Sequence, residues 1–141
     1  MKKVEPNKEV ALSYLGEAEK TLSKVNALIE EGDFVWASAR IYYCAYYSIY
    51  SFLQRIGIKS ENHDCSIELV KKLVKKDFVN NIDSFKENRV DSQYYLKTGQ
   101  KEKMLRLYLK VKEFYLDFRE IVENLTDDDI KNIIDQINKQ K

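Results

Sequence analysis

Four groupings in this 141-residue chain carry side chains able to do chemistry. The first is Arg40 ahead of the run Tyr42-Tyr43-Cys44-Ala45-Tyr46-Tyr47-Ser48-Ile49-Tyr50. A guanidinium beside phenol hydroxyls can hold a phosphate bidentately while aromatic rings stack against it. On a helix Arg40 stands one turn from Tyr43 and two from Tyr47, which makes these three a candidate phosphate-binding set. The second is His63-Asp64, where a helix start disfavours the imidazolium and leaves neutral imidazole near pH 7 as a candidate base. The third is Arg89-Val90-Asp91-Ser92-Gln93-Tyr94-Tyr95, where Arg89 and Tyr94, five apart, can line one cleft if the stretch is helical or turning. The fourth is the basic cluster Lys71, Lys72, Lys75 and Lys76, with Lys101 and Lys103 as spatial neighbours, suited to salt-sensitive contact with a phosphate backbone. Each also has a plain reading: core tyrosines, a capping His, a salt-bridged Arg and a solvated lysine face.

Composition narrows the chemistry. The 24 Lys and Arg against 23 Asp and Glu leave a net charge of +1, too little for a strongly cationic nucleic-acid coat but compatible with a local patch. One His and two Cys cannot supply four zinc ligands without carboxylates, so no metal or cofactor is expected. There is no glycine-rich phosphate loop, serine nucleophile elbow or paired-His motif. Ten Tyr against a single His offer aromatic hydroxyls with few conventional general bases. Cys44 and Cys65 read as free, buried thiols in a reducing compartment. The start Met1-Lys2-Lys3-Val4-Glu5-Pro6-Asn7 has no apolar stretch after its charges and does not read as a signal peptide. No run approaches the roughly 18 apolar residues of a membrane span, and the expected location is the cytoplasm.

The elements that must position these groups are helical. One Pro and four Gly leave little turn chemistry for a many-stranded sheet. Ala11, Leu15, Ala18, Leu22, Val25 and Ile29 alternate steps of four and three, predicting one long helix from Asn7 to Glu31. Asp33 opens a central helix that ends near Ile56, before Gly57. There, Val35, Trp36, Ala39, Tyr43, Tyr46, Tyr50 and Leu53 form a main apolar face, and Ile41, Ala45, Phe52 and Ile56 a second. A polar connection over 58–64 leads to a third helix carrying Ile67, Leu69, Val70, Leu73 and Val74. Phe78, Val79, Ile82, Phe85 and Val90 suggest a shorter helix, followed by a polar stretch that Gly99 ends. The seam repeats from Lys101 to Leu125 through Met104, Tyr108, Val111, Tyr115, Phe118 and Val122. Thr126 and Asp129 read as a capping box opening a last short helix, about 127–138. The expectation is one domain over 1–141 with its core at about 7–125. It is all-α, an up-and-down bundle of four to five helices plus the short C-terminal one.

Taken together these residues resemble the HEPN domain family, in its small stand-alone prokaryotic form, over most of the chain. Ala39-Arg40-Ile41-Tyr42-Tyr43-Cys44-Ala45-Tyr46-Tyr47 is similar to the family's Arg-x-Tyr-Tyr-x-x-aromatic core helix. Lys59-Ser60-Glu61-Asn62-His63-Asp64 resembles its Lys-Thr-His element with two extra residues, and Arg89 to Tyr95 its Arg-x-x-Ala-Asp-Tyr segment. The resemblance implies a homodimer with a cleft near the dimer interface. It also implies nucleotide or RNA phosphate as ligand, held by Arg40, Tyr43, Tyr47 and Arg89. Many members are metal-independent endoribonucleases, often toxins encoded beside a small nucleotidyltransferase antitoxin. Others are non-catalytic modules acting through a partner protein. The catalytic set implied here is His63, Arg89 and Tyr94. The nuclease members carry Arg, four to six residues, then His. This chain has Tyr94 where that His would follow Arg89, and His63 lies eight residues after Arg55.

Overall fold

The structure, a computed structural model, describes residues 2–94 and 101–139, and of Gln93 and Tyr94 only the backbone. In chain order it has β1 (Lys2–Lys3), α1 (Lys8–Leu22), α2 (Val25–Glu30), α3 (Phe34–Ile56), β2 (Ile58–Lys59) and α4 (His63–Val74). A 3₁₀ turn (Asp77–Asn80) then leads into α5 (Asn81–Tyr94), α6 (Lys101–Asn124) and α7 (Asp127–Lys139).

Local signals explain most of these boundaries. The Asn7 side chain accepts from the Val10 N–H at 3.0 Å to start α1, and Asp33 accepts from the Trp36 N–H at 3.3 Å to start α3. Gly57 ends α3 at φ +87°, where a Cβ would stand 2.5 Å from the Val4 carbonyl oxygen. The N-terminal segment runs back over that end: the Asn7 N–H donates to the Gln54 carbonyl at 3.1 Å and the Val4 N–H to that of Gly57 at 2.8 Å. The Gly57 carbonyl is one that a helix end leaves without an intrahelical partner, and that of Gln54 accepts the Asn7 N–H beside the Gly57 N–H at 3.2 Å. At α7, Thr126 and Asp129 exchange backbone-to-side-chain bonds of 2.9 and 3.1 Å, the reciprocal cap expected there.

Four helices run alternately up and down. The Ala11 carbonyl accepts from the Ser51 hydroxyl at 2.9 Å, which sets α1 antiparallel to α3. Ser92 meets Ser38 at 3.1 Å and Arg89 lies over Tyr42, so α5 is also antiparallel to α3. Met104 reaches Ser38 and Phe118 meets Phe52, so α6 is parallel to α3. Arg55 closes the far end by donating 2.7 Å to the Leu125 carbonyl. Every residue of the α1–α2 seam is buried, as are Met104, Val111, Tyr115, Phe118 and Val122 of α6. The fold is all-α with a two-residue antiparallel ladder, Lys2 opposite Lys59 and Lys3 opposite Ile58. Among the described residues no helix is long and apolar enough to cross a membrane.

Several expectations are corrected. The single helix over Asn7–Glu31 is two, broken at Ser23 and Lys24. There the Ser23 hydroxyl donates 2.7 Å to the Lys20 carbonyl, a local bond that competes with the helical ladder. The seam survives the break because Leu22, Val25 and Ile29 all remain buried. Residues 58–59 are not plain connection, since they pair with the N-terminus. Helix α5 extends to Tyr94, so Arg89 lies within the helix and not in a polar stretch after it. Cys65 is exposed, whereas Cys44 is buried as expected. The main face assigned to α3 is covered at Ala39, Tyr46 and Leu53 but open at its other positions. Trp36 is 61% exposed, and Tyr43 and Tyr50 are only partly buried, while Ile41, Ala45, Phe52 and Ile56 are closed off. Amphipathic Tyr and Trp tolerate a wet edge that aliphatic side chains do not. Gly99 and Tyr95 lie outside the described residues.

Candidate functional site

The bundle brings three helices to one cleft. Helix α3 contributes Tyr42, Tyr43 and Tyr46, which share a side because 42 and 46 are one turn apart. Asn62 caps α4 by accepting from the Cys65 N–H at 3.0 Å, which places His63 in the first turn. Helix α5, antiparallel to α3, delivers Arg89 from the other wall. An ion pair between Lys86 and Asp64 ties α5 to the start of α4 beside it.

The Tyr42 hydroxyl and His63 Nδ1 are 3.0 Å apart. The imidazole lies flat on Tyr46, with ring centroids 3.7 Å apart and planes 18° from parallel. Tyr46 in turn donates toward the Ser66 hydroxyl at 3.4 Å. The Arg89 guanidinium carbon sits 5.2 Å from the Tyr42 ring centre and 5.3 Å from that of Tyr43, so two aromatic faces hold one cation. Arg89 Nε is buried and has no hydrogen-bond partner among the described residues.

The electrostatics follow from this packing. Burial, and then the Arg89 charge, hold His63 below its ordinary pKa of 6.5, with Lys86 adding to them and Asp64 opposing. The ring is therefore neutral at pH 7. The cause differs from the helix-start effect expected from sequence. Burial pushes Tyr42 up to about 12, with Arg89 pulling the other way, so its hydroxyl keeps its proton. The cleft thus combines a half-buried cation, a neutral imidazole and protonated phenols, a set suited to an anion. Among the described residues no three His, Cys, Asp or Glu side chains gather as a metal would require.

Of the candidate residues, the structure brings His63, Arg89 and Tyr43 together. Tyr47 lies next along α3, its ring 6.1 Å from that of Tyr43. It borders a cavity of about 280 Å³ lined by Tyr14, Tyr46, Tyr50, Ser60, Glu61 and His63. Arg40 is not joined to the group: it sits half-buried on the open stripe of α3 with Trp36 and Tyr47, and no bond links it to His63 or Arg89 among the described residues. The Tyr94 side chain lies outside the described residues. The lysine cluster is not one patch. Lys71 is bound by Asp83 at 2.8 Å and Lys101 by Glu30 at 2.9 Å. Lys76 faces Asp117 and Glu120, while Lys103 lines a different groove with Arg106, Glu87 and Asp91.

Sequence reasoning did not single out Tyr42 and Tyr46 as partners of His63. Their one-turn spacing on the central helix was the available signal. Lys86 had none, because its partner Asp64 is 22 residues away.

A family model described as HEPN domain matches residues 11–139, nearly the whole chain. No curated protein matches it. The match takes in the Arg40-x-Tyr42-Tyr43 helix, His63 and Arg89 within one all-α bundle, and the chain belongs to the HEPN domain family.

Proposed function

We propose that the protein binds the phosphate of a nucleotide or of RNA in the cleft between α3, α4 and α5. The observation that carries this reading is Arg89, a cation stacked on Tyr42 and Tyr43 beside neutral His63, with its Nε unpartnered among the described residues. Membership of the HEPN family supports a homodimer. On this reading the protein is also the toxin half of a toxin–antitoxin pair whose other half is a nucleotidyltransferase. The catalytic form of that role is metal-independent cleavage of RNA.

The test is thermal unfolding with ATP, GTP and a short RNA. A ligand that binds only the native state stabilises it by about 2.7 kcal/mol at a hundredfold excess over Kd, a rise of several degrees. The expected result is a rise in the wild type that is absent in Arg89→Ala. A labelled RNA pool incubated with EDTA separates binding from cutting. Cleavage no greater than that by a His63→Ala/Arg89→Ala double variant removes the nuclease role.

One observation favours a second reading, a non-catalytic interaction module that acts through a partner protein. Trp36 is 61% exposed at the head of a stripe that continues through Arg40, Tyr43 and Tyr47, residue types enriched in protein interfaces. A tight dimer with no thermal response to any of the three ligands selects that reading.

A further inference from the structure

We propose that Tyr42 holds neutral His63 as the tautomer protonated at Nε2, so that the cleft offers a bound phosphate donors alone: the imidazole Nε2–H and the Arg89 guanidinium. The ligand half of this inference rests on the phosphate reading above. The tautomer half does not.

Tyr42 is 1% exposed, and His63 Nδ1 is the one hydrogen-bond partner of its hydroxyl among the described residues. A phenol both donates and accepts, whereas a neutral imidazole nitrogen does only one of the two. If Nδ1 carried the proton, the Tyr42 oxygen would accept it and the buried O–H would face no acceptor. The guanidinium nearest the ring has only donors to offer. Buried polar hydrogens are nearly always bonded, so the arrangement that satisfies both groups has Tyr42 donating to Nδ1. The proton of the neutral ring then sits on Nε2, at the edge turned away from Tyr42. Stacking on Tyr46 at 3.7 Å fixes the plane in which that N–H points. Tyr42 is thus a positioning residue acting through His63.

The chemical consequence is specific. With Nδ1 engaged by Tyr42 and Nε2 protonated, neither ring nitrogen offers a free lone pair to a ribose 2′-hydroxyl proton, whereas the Nε2–H can donate to a phosphate oxygen. The site then selects ligands by their anionic oxygens, and in the cleavage proposed above His63 serves as a donor to the phosphate and not as the base.

His63 is the only histidine in the chain, so a long-range nitrogen–proton spectrum of uniformly ¹⁵N-labelled protein shows a single imidazole. In mildly alkaline buffer without ligand, Nε2 should resonate as a protonated nitrogen and Nδ1 as a hydrogen-bonded unprotonated one. A protonated Nδ1, or two averaged nitrogens, overturns the proposal. Tyr42→Phe should convert the wild-type pattern to an averaged one, and an unchanged pattern also overturns it.

The donor role has its own readout, which survives a poorly folding Tyr42 variant. Inorganic phosphate is titrated against His63→Gln, whose amide places an N–H near the Nε2 position, and His63→Asn, which reproduces the Nδ1 side. His63→Gln should bind within about threefold of wild type and His63→Asn about tenfold more weakly or worse. Equal losses in the two variants overturn the donor role. A wild type that shows Nε2–H yet ignores phosphate overturns the phosphate reading and the ligand half of this inference, while the tautomer stands. A protonated Nδ1 overturns the inference even where phosphate binds.

Discussion

On one side of α3, Ile41, Ala45, Ile49, Phe52 and Ile56 are shut in against neighbouring helices; on the other, Tyr43, Tyr47 and Tyr50 keep an edge in water. Both sides would count as apolar on a hydropathy scale, yet they do different work. The closed side has few polar atoms and gains by excluding solvent. The open side carries hydroxyls that water or a ligand can satisfy, so it can change partners without leaving a buried group unpaired. Stability and binding are therefore separable along a single helix, and substitutions on each side should show it.

The largest contrast should come from truncating one aromatic on each side. Phe52 is fully buried with its ring 6.3 Å from that of Phe118, so Phe52→Ala should cost about 3–5 kcal/mol of unfolding free energy. Tyr47→Ala, on the open side, should cost about 1 kcal/mol or less while weakening ligand binding at the neighbouring cavity. Urea unfolding of both variants measures the difference. Similar losses for the two would mean that the open side is core after all.

A smaller effect tests the polar node buried on the closed side. The Ser38 hydroxyl accepts from Asn88 at 2.8 Å and meets the Ser92 hydroxyl at 3.1 Å, linking α3 to α5 behind the site. Among the described residues, Ser38→Ala leaves the Asn88 amide nitrogen with only a long contact to the Met104 sulfur, and it should cost about 1–3 kcal/mol by the same denaturant measurement. A cost near zero would show that water replaces the lost hydroxyl, and the closed side would then be less dry than its burial implies.

How much of this was legible in the sequence follows from the range of each interaction. The α1 and α6 seams and the Thr126–Asp129 cap depend on residues three or four apart, and their spacing exposed them directly. The break at Ser23 left no Pro or Gly to mark it. The pairing of Lys2–Lys3 with Ile58–Lys59 joins segments more than fifty residues apart. For the site, His63 and Arg89 stood out by type, but their meeting depends on where α4 and α5 pass α3, which no local pattern encodes. Tyr42 was hidden among similar neighbours. Counting Trp36, Tyr43 and Tyr50 simply as apolar placed the main face of α3 on its wetter side, because periodicity shows which residues share a face but not which face is covered.

The smallest effect, and the one that separates the two sides most cleanly, is the response to mild acid. The closed side has no titration in this range, since burial pushes the Cys44 thiol up to about 12. On the open side, burial and the charges of Arg89 and Lys86 depress His63 below 6.5, Asp64 opposes them, and protonated Tyr42 and Tyr46 flank the ring. The unfolded chain therefore takes up a proton before the native one does. Stability contributed by neutral His63 is fully present above pH 6.5 and is lost as pH falls through the lower native value. The hydrogen-bonded carboxylates Asp64 and Asp129 are held below 3.8, so their own loss comes at lower pH and does not overlap. Between about pH 7 and pH 5 the wild type should lose stability that His63→Gln does not lose, as followed by urea midpoints. Bound phosphate should shrink the difference, because an anion beside Arg89 offsets the charge that depresses the imidazole. An equal slope in wild type and variant would place His63 in solvent-like surroundings and dissolve the contrast between the two sides of α3.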